Sequence, residues 1–313
     1  MTAPPARAGE PERGTAEWLM RLQQAGRSPR YAGTVVISSS TGALSSARIV
    51  RLSEGDKRIE RVETLTGAPR ITYRYNGTVT SFWPQSGIKR IEQHEPHSVF
   101  PNMLLPGLDT LASAFYSAAP HGHDRVAGYN ADVVIFKPKD DLRYGYRIWS
   151  DQKTGMALKM QTMAADGRVL EQVAFSELTF NTPVSFAALL RAMEQSAGYR
   201  VMRSNRVESA AQAEGWTLSA PVPGFRSQSC YRYSGEAGDG VHWVFSDGLA
   251  SVSLFMQPYD ANVHVSEGEA ASGATHTLTF RLSDPQEEWW LTAVGEVPAQ
   301  TLRLFAQRIQ RIQ

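Results

Sequence analysis

Few stretches of this sequence combine residue types that perform chemistry, and each has a spacing that argues against it. His94-Glu95-Pro96-His97 carries two imidazoles and a carboxylate, but a zinc-binding helix needs both histidines on one face, and Pro96 breaks the turn that would put them there. His121 and His123 could chelate a cation only with a third ligand, and none stands at a suggestive spacing; a polar turn is the expectation. The adjacent carboxylates Asp140-Asp141 and Glu287-Glu288 would point to opposite faces of a strand, which makes them poor acid/base dyads. Cys230 is the single cysteine. It rules out an intrachain disulfide and a multi-cysteine metal site, and with no histidine near it in sequence it reads as a packed thiol. The sequence has no G-x-S-x-G elbow, phosphate-binding loop, G-x-G-x-x-G after a strand, or H-E-x-x-H. The expectation is a non-enzymatic protein with no catalytic residue, cofactor or metal.

What remains is recognition chemistry. Ser246-Asp247-Gly248 lies between two strand-like runs, where Asp-Gly makes a turn and where a Ser and an Asp could also present a recognition surface. The aromatic residues Phe82, Trp83, Phe136, Tyr144, Tyr146 and Trp149 suit a core, or in part the wall of an apolar cavity. Lipid is energetically plausible in such a cavity, since each buried methylene yields ~0.8 kcal/mol and a long acyl chain about 10 kcal/mol before entropic losses.

The elements that would hold these residues are mostly strands. Residues 124–180 alternate β-like runs with turns: Ala131 to Lys137 ends at Pro138, Tyr144 to Ser150 has a period of two, and Met156 to Thr162 and Val169 to Phe175 follow turns at Gly155 and Asp166-Gly167. Four such strands make a meander. Upstream, Thr15 to Ala25 reads as a helix capped by Thr15, and strands follow from Tyr31, with Asn76-Gly77 the strongest hairpin signal. The run His94 to Gly107 is apolar yet proline-rich, which suits a loop that folds over a core or guards an opening; a short helix from Asp109 follows. A sheet this large with few helices would curl into a half-open barrel or saddle. Further on, Ser185 to Ala197 reads as a helix, Ser266 to Gly273 as a mobile loop, and Thr301 to Ile312 as a closing amphipathic helix.

At 313 residues the chain suits two domains. The expected division is a disordered leader over 1–14, a half-open antiparallel β-barrel over 15–180, a helix and linker over 181–215, and a smaller α+β domain over 216–313. A formal charge of +1, from 32 basic and 31 acidic residues, supplies no global field for nucleic acid. No run of about 18 apolar residues encodes a membrane helix, and the first residues lack the basic-then-apolar pattern of a secretory signal.

With those residues read, the chain resembles the RseB/MucB family of periplasmic regulators of the envelope-stress sigma-factor pathway. The resemblance rests on Tyr31-x-Gly33-Thr34, Arg125-Val126-Ala127-Gly128 and the run Asp141-Leu142-Arg143-Tyr144-Gly145-Tyr146-Arg147-Ile148-Trp149 in the first part. In the second part it rests on Pro223-Gly224-Phe225, the run from Ser246 to Phe255, and Gly295-Glu296-Val297-Pro298. It implies a first domain similar to the lipoprotein carriers LolA and LolB and a smaller partner-binding domain. It also implies a function: binding the periplasmic part of an RseA/MucA-type anti-sigma factor, protecting it from site-1 proteolysis, and releasing it on sensing lipid or lipopolysaccharide. The missing signal peptide is then expected to have been trimmed, with the periplasm as the compartment. On this reading Phe82, Trp83, Phe136 and Tyr146 line a lipid cavity, Phe100, Met103 and Leu104 form its flap, and Ser246, Asp247, Gly248, Phe255 and Met256 bind the partner. A homodimer stays open, and the alternative function is a lipid or lipoprotein carrier.

Overall fold

The computed structural model describes residues 13–27, 30–93, 100–101, 109–180, 182–203, 205–234, 238–264, 266–284 and 287–312. Helix α1 (Thr15–Arg27) precedes β1 (Tyr31–Ser39), β2 (Leu44–Glu54), β3 (Lys57–Thr64), β4 (Ile71–Tyr75), β5 (Thr78–Trp83) and β6 (Ile88–Gln93). Helix α2 (Asp109–Phe115) runs directly into β7 (Tyr116–Val126), followed by β8 (Tyr129–Pro138), β9 (Gly145–Asp151), β10 (Ala157–Met163), β11 (Val169–Thr179) and α3 (Phe186–Glu194). Next come β12 (Arg200–Arg203), β13 (Asn205–Glu208), β14 (Trp216–Leu218), β15 (Arg226–Ser234), β16 (Gly240–Ser246) and β17 (Ser251–Pro258). The chain ends with β18 (Gly268–Ser272), β19 (Thr275–Ser283), β20 (Glu288–Gly295), α4 (Ala299–Arg308) and β21 (Ile309–Arg311).

The expected α+β architecture of one large and one smaller antiparallel sheet is what the chain adopts, with one parallel pair, β12 and β6, at the edge of the large sheet. Twelve strands form an open sheet in the order β12-β6-β5-β4-β3-β2-β1-β11-β10-β9-β8-β7, and seven form a second sheet in the order β13-β15-β16-β17-β20-β19-β18. The expected meander is β8 to β11, and β7 extends it at the edge. It joins the β1–β6 meander where β1 pairs with β11. Gly33 sits on that seam: a Cβ there would stand 2.4 Å from the Glu177 carbonyl and 2.8 Å from the Phe175 ring, so only a residue without a side chain lets the two strands close. Asn76 and Gly77 both take positive φ, 48° and 71°, as a two-residue hairpin turn demands.

Each sheet face is covered differently. On one face of the large sheet, Trp18, Leu19 and Leu22 of α1 pack on Val134, Phe136, Tyr146 and Ile148, and the same face continues through Val173, Phe175, Val35 and Ile49. On the other face, Phe186 and Leu189 of α3 pack on Val50, Leu52, Ile59, Tyr73 and Phe82. The neighbours Ile49 and Val50 therefore serve opposite cores, as a strand's period of two requires. The second sheet holds its own core, with Trp216, Phe225, Phe245, Met256 and Leu291 packed against Leu302 and Phe305 of α4.

Several local expectations differ from the structure. Thr15 does not cap α1: its hydroxyl accepts the Ala118 N–H across the fold at 2.9 Å, and Glu17 takes the free Gly14 N–H at 3.0 Å. His121 and His123 lie inside β7, where the register shifts by a bulge between Pro120 and His123. Residues 268–272 are not a loop but an edge strand paired with β19. Helix α4 stops at Arg308 and Ile309 turns extended, because the last residues pair with β14, where Arg311 lies over the Trp216 and Trp289 rings at 4.9 and 4.6 Å. Within 181–215, Arg200 to Glu208 pairs first with β6 and then with β15, so one stretch borders both sheets.

Candidate functional site

Between β8 and β9 the chain has no ladder to satisfy its polar groups, and Asp140 turns it by accepting the Leu142 N–H at 3.0 Å. The turn directs Arg143 inward, where its side chain has no exposure to solvent. Its Nε and Nη2 donate to the two Asp140 carboxylate oxygens at 2.8 and 3.0 Å, a two-pronged pairing that suits a planar guanidinium. Its remaining donors cross to the second sheet. Nη1 reaches Asp247 Oδ2 at 2.7 Å, and Nη2 also reaches the Pro223 carbonyl at 2.8 Å. The rings of Phe115 and Phe225 flank the cation at 4.5 and 5.1 Å.

Asp247 is held from both sides. The turn after β16 folds so that Asp247 Oδ1 accepts the N–H groups of Leu249 and Ala250 at 2.9 and 2.7 Å, an arrangement of the kind Asx turns use. Gly248 takes the positive φ, 103°, that this turn needs. Ser246 closes it, donating to the Ala250 carbonyl at 2.8 Å and accepting the Gly248 N–H at 3.0 Å. From the large sheet the Tyr116 hydroxyl donates to Asp247 Oδ2 at 3.0 Å. Burial pushes the Asp247 carboxyl upward, while Arg143, the two amides and the Tyr116 hydroxyl favour its charged form. Burial also works against the Arg143 cation, yet Asp140 and Asp247 together hold its pKa above the ordinary arginine value. Those donors are what offset burial and favour the charged form of the pair.

Two further contacts flank this hub. Thr301 at the start of α4 donates to the Leu142 carbonyl at 2.6 Å, and the Gln300 amide donates to the Asp141 carbonyl. On the other side Tyr144 and Leu170 pack on Ala274 in the β18–β19 turn, and Tyr144 meets His276 edge to face at 6.4 Å. Glu171 accepts the Ala274 N–H in the same patch. The Asp141–Trp149 run, Pro223-Gly224-Phe225 and the run beginning Ser246-Asp247-Gly248 thus converge on one contact between the sheets. Gly224 shows how closely: a Cβ on it would stand 2.6 Å from Arg143 Nη2.

Both halves of the chain match models of one family. Residues 14–193 match the MucB/RseB N-terminal domain and residues 210–310 the MucB/RseB C-terminal domain. The chain belongs to the MucB/RseB family. The family consists of regulatory proteins, and its members are not enzymes. Among its relatives is the sigma factor AlgU regulatory protein MucB of Pseudomonas aeruginosa, 26% identical over 311 residues that cover 94% of this chain and 90% of the relative. The sigma-E factor regulatory protein RseB of Haemophilus influenzae is 23% identical over 277 residues, 88% of this chain and 84% of the relative. Two solved structures share the fold over 96% of this chain and 99% of theirs at 24% identity. They are the Pseudomonas aeruginosa MucA/MucB complex, with a TM-score of 0.72, and MucB with the periplasmic part of MucA, with a TM-score of 0.70.

The residues expected to line a lipid cavity lie on two different faces of the large sheet. Phe136 and Tyr146 are buried beneath α1, and Phe100 joins the same face by packing on Phe175 at 5.4 Å between ring centres. Phe82 lies on the opposite face under α3, with Tyr199 at 5.1 Å and Tyr73 at 5.8 Å. Trp83, its neighbour on β5, is half-buried under the Arg90 guanidinium at 5.5 Å. Met103 and Leu104 lie outside the described residues, as does the His94–His97 run. Of the residues expected to bind the partner, Ser246, Asp247 and Gly248 form the hub and Met256 fills the second core. Phe255 lies on the other face of β17, stacked on His242 at 4.2 Å. Residue types alone did not single out Tyr116, Asp140, Arg143, Pro223 and Phe225. The one available signal was an arginine set in an otherwise strand-like, aromatic run. Burial lifts the Cys230 thiol to about 11, which makes it inert. Among the described residues no acidic, histidine or cysteine cluster is placed to hold a metal ion, and no helix is long and apolar enough to cross a membrane.

Proposed function

We propose that this chain is a periplasmic negative regulator of an envelope-stress sigma factor. It binds the periplasmic domain of an RseA/MucA-type anti-sigma factor, shields it from site-1 proteolysis, and releases it when lipid or lipopolysaccharide is sensed. The observation that carries the reading is the hub: the family's motifs, drawn from both halves of the chain, are spent on holding two sheets together. A charged, fully paired contact of this kind is satisfied in one arrangement and broken in another, which is what a two-state element requires.

The lipid side of the reading rests on the α1-bearing face of the large sheet. Its apolar wall of Val35, Ile49 and Phe175 borders a lateral row in which Arg51, Glu60 and Arg74 stand side by side, with Arg51–Glu60 at 3.5 Å and Arg74–Glu60 at 2.5 Å. One carboxylate between two guanidiniums gives a charged border, which suits the polar head of an amphiphile beside its chains. A lipid that prefers the separated arrangement of the two domains lowers partner affinity, and by linkage the partner lowers lipid affinity by the same factor.

The test uses the purified chain and the periplasmic domain of the anti-sigma factor encoded in the same genome. Protection of that domain from the site-1 protease is expected, with added lipopolysaccharide lowering partner affinity and partner lowering lipopolysaccharide affinity equally. Simultaneous binding of both at unchanged affinities would remove the mechanism.

A further inference from the structure

β18 is a sheet edge with unusual properties. It is the last strand of the second sheet, and all five of its residues are exposed. Edge strands are ordinarily protected by lysine, proline, a bulge or a covering element, whereas Gly268-Glu269-Ala270-Ala271-Ser272 has no such guard. Its one charged side chain is turned away from that task, since Glu269 is held by both guanidinium nitrogens of Arg303 on α4. The pairing Ser272↔Thr275 closes a two-residue turn. By the alternation of an antiparallel ladder, the Glu269 and Ala271 N–H groups then point away from β19.

Beside that edge lies a cavity of about 250 Å³ between β18, β19 and the first turns of α4, lined by Glu269, Ala271, His276, Leu278, Ala299 and Leu302. Two of its lining residues, Ala271 and Ala299, have small side chains. The His276 Nδ1 atom is buried without a hydrogen-bond partner, and burial pushes that imidazole below its usual pKa, so it is a neutral ring with a free polar position. One lining residue, His276, also meets Tyr144 of the large sheet, and Ala274 of the adjoining turn packs on Leu170.

From this juxtaposition of an unguarded strand edge and a cavity opening beside it, we infer that an extended segment of the protein partner adds to the second sheet alongside β18 and seats one apolar side chain in the cavity. This rests on the partner reading proposed above and assigns it a surface. A row of free backbone groups is matched repeatedly only by another extended backbone, which supplies affinity, while the cavity supplies selectivity. The occupant is the anti-sigma segment rather than a second copy of this chain. Each copy's β18 offers only Ala270, Ala271, Ser272 and the Arg303-bound Glu269, which leaves nothing to fill the other's cavity. Docking here also loads the turn that touches Tyr144 and Glu171, so partner binding bears directly on the domain contact.

The experiment compares the full chain with Ala271→Pro, which removes an N–H the sheet does not use, and Ala299→Leu, which fills the cavity from a helix that tolerates leucine. The probe is the periplasmic domain of the anti-sigma factor from the same genome, read by titration calorimetry and by hydrogen exchange over residues 268–272. The expected result is slowed exchange over 268–272 on binding, and affinity lowered at least tenfold in each variant, with unfolding temperatures unchanged. If Ala271→Pro fails to fold, Ala299→Leu alone decides. Binding by wild type with neither protection nor loss overturns this inference and leaves the partner reading standing; no binding by wild type overturns both. A concentration-dependent dimer abolished by Ala271→Pro overturns it in favour of a second copy as the occupant.

Discussion

Removing one partner of the Arg143–Asp247 pair should be among the costliest single changes in the molecule, and the size of the effect follows from what each variant leaves behind. Asp247→Ala deprives Arg143 of one contact, but Asp140 still holds the guanidinium at 2.8 and 3.0 Å and Pro223 still accepts from it. The cost therefore falls at the low end for a broken buried pair, about 3 kcal/mol. Arg143→Met is worse, about 4 kcal/mol, because Asp247 keeps only neutral donors from Tyr116 and two amides around a charge with no exposure. The double variant removes both charges, so its loss should fall short of the sum by about 2 kcal/mol, the coupling of a contacting charged pair. Equilibrium denaturation of the four full-length proteins measures this, read by fluorescence and by circular dichroism to detect separate transitions. Additivity within ~0.5 kcal/mol, or single losses below ~1 kcal/mol, would show that the contact does not hold the two sheets together.

Other perturbations test the elements that support this contact. Gly33→Ala should destabilise by more than about 2 kcal/mol, since the new methyl would overlap the Glu177 carbonyl at the β1–β11 seam; a thermal melt within 1 °C of wild type would refute that. Lys89→Met should cost about 2 kcal/mol in denaturation, because the buried ammonium donates to the Met193, Glu194 and Gln195 carbonyls that end α3. Desolvation, with Glu171 adding its charge, lifts the Glu296 carboxyl to about 7, and the exposure of the side chain to solvent keeps the effect on stability small. A raised carboxyl holds a proton in the folded state that the unfolded chain releases, so its stabilising share is present at low pH and is lost as pH rises from about 4.5 through 7. Glu296→Gln should accordingly flatten the fall in melting temperature between pH 5.5 and 8, and an unchanged slope would exclude Glu296 as its source.

The strands were legible because their signal is local. Asn76-Gly77, Asp166-Gly167 and the period of two in Tyr144 to Ser150 each specify a turn or a strand from a few residues. The end of α4 was not, because Ile309 and Ile312 continue a helical spacing while pairing with β14 and cation stacking by Arg311 on two tryptophans pull the backbone straight. The long-range β14–β21 contact overrides the local pattern. Residues 268–272 were read as a loop since Gly, Glu, Ala and Ser have low strand propensity, and only the β19 partner makes them a strand. Phe82 and Phe136 looked alike in sequence, and which face each occupies depends on where α1 and α3 dock. The hub lay beyond reach for a similar reason: Arg143 and Asp247 are 104 positions apart, and no periodicity relates two strand-end turns in different sheets.

Tyr116 is the residue through which the apolar face of the large sheet touches the hub. Its ring lies against Tyr146 at 6.0 Å in the cluster beneath α1, while its hydroxyl reaches Asp247. A ligand that shifts α1 or the rings below it would move that hydroxyl, and the hydroxyl is bonded to the carboxylate by which the second sheet holds Arg143. Tyr116→Phe keeps the ring and deletes only this link. It should cost about 1–2 kcal/mol of stability, the value of one buried hydrogen bond to a charged acceptor, and leave lipopolysaccharide affinity of the free protein near that of wild type. What should change is the coupling. In wild type the partner domain is expected to lower lipopolysaccharide affinity; in Tyr116→Phe that factor should shrink toward one, because the two sites no longer share this hydrogen bond. Titrating lipopolysaccharide against each protein with and without saturating partner domain gives the two factors directly. Equal factors in wild type and variant would mean that coupling runs through another contact, with Tyr144 against His276 and Ala274 as the next pair to sever.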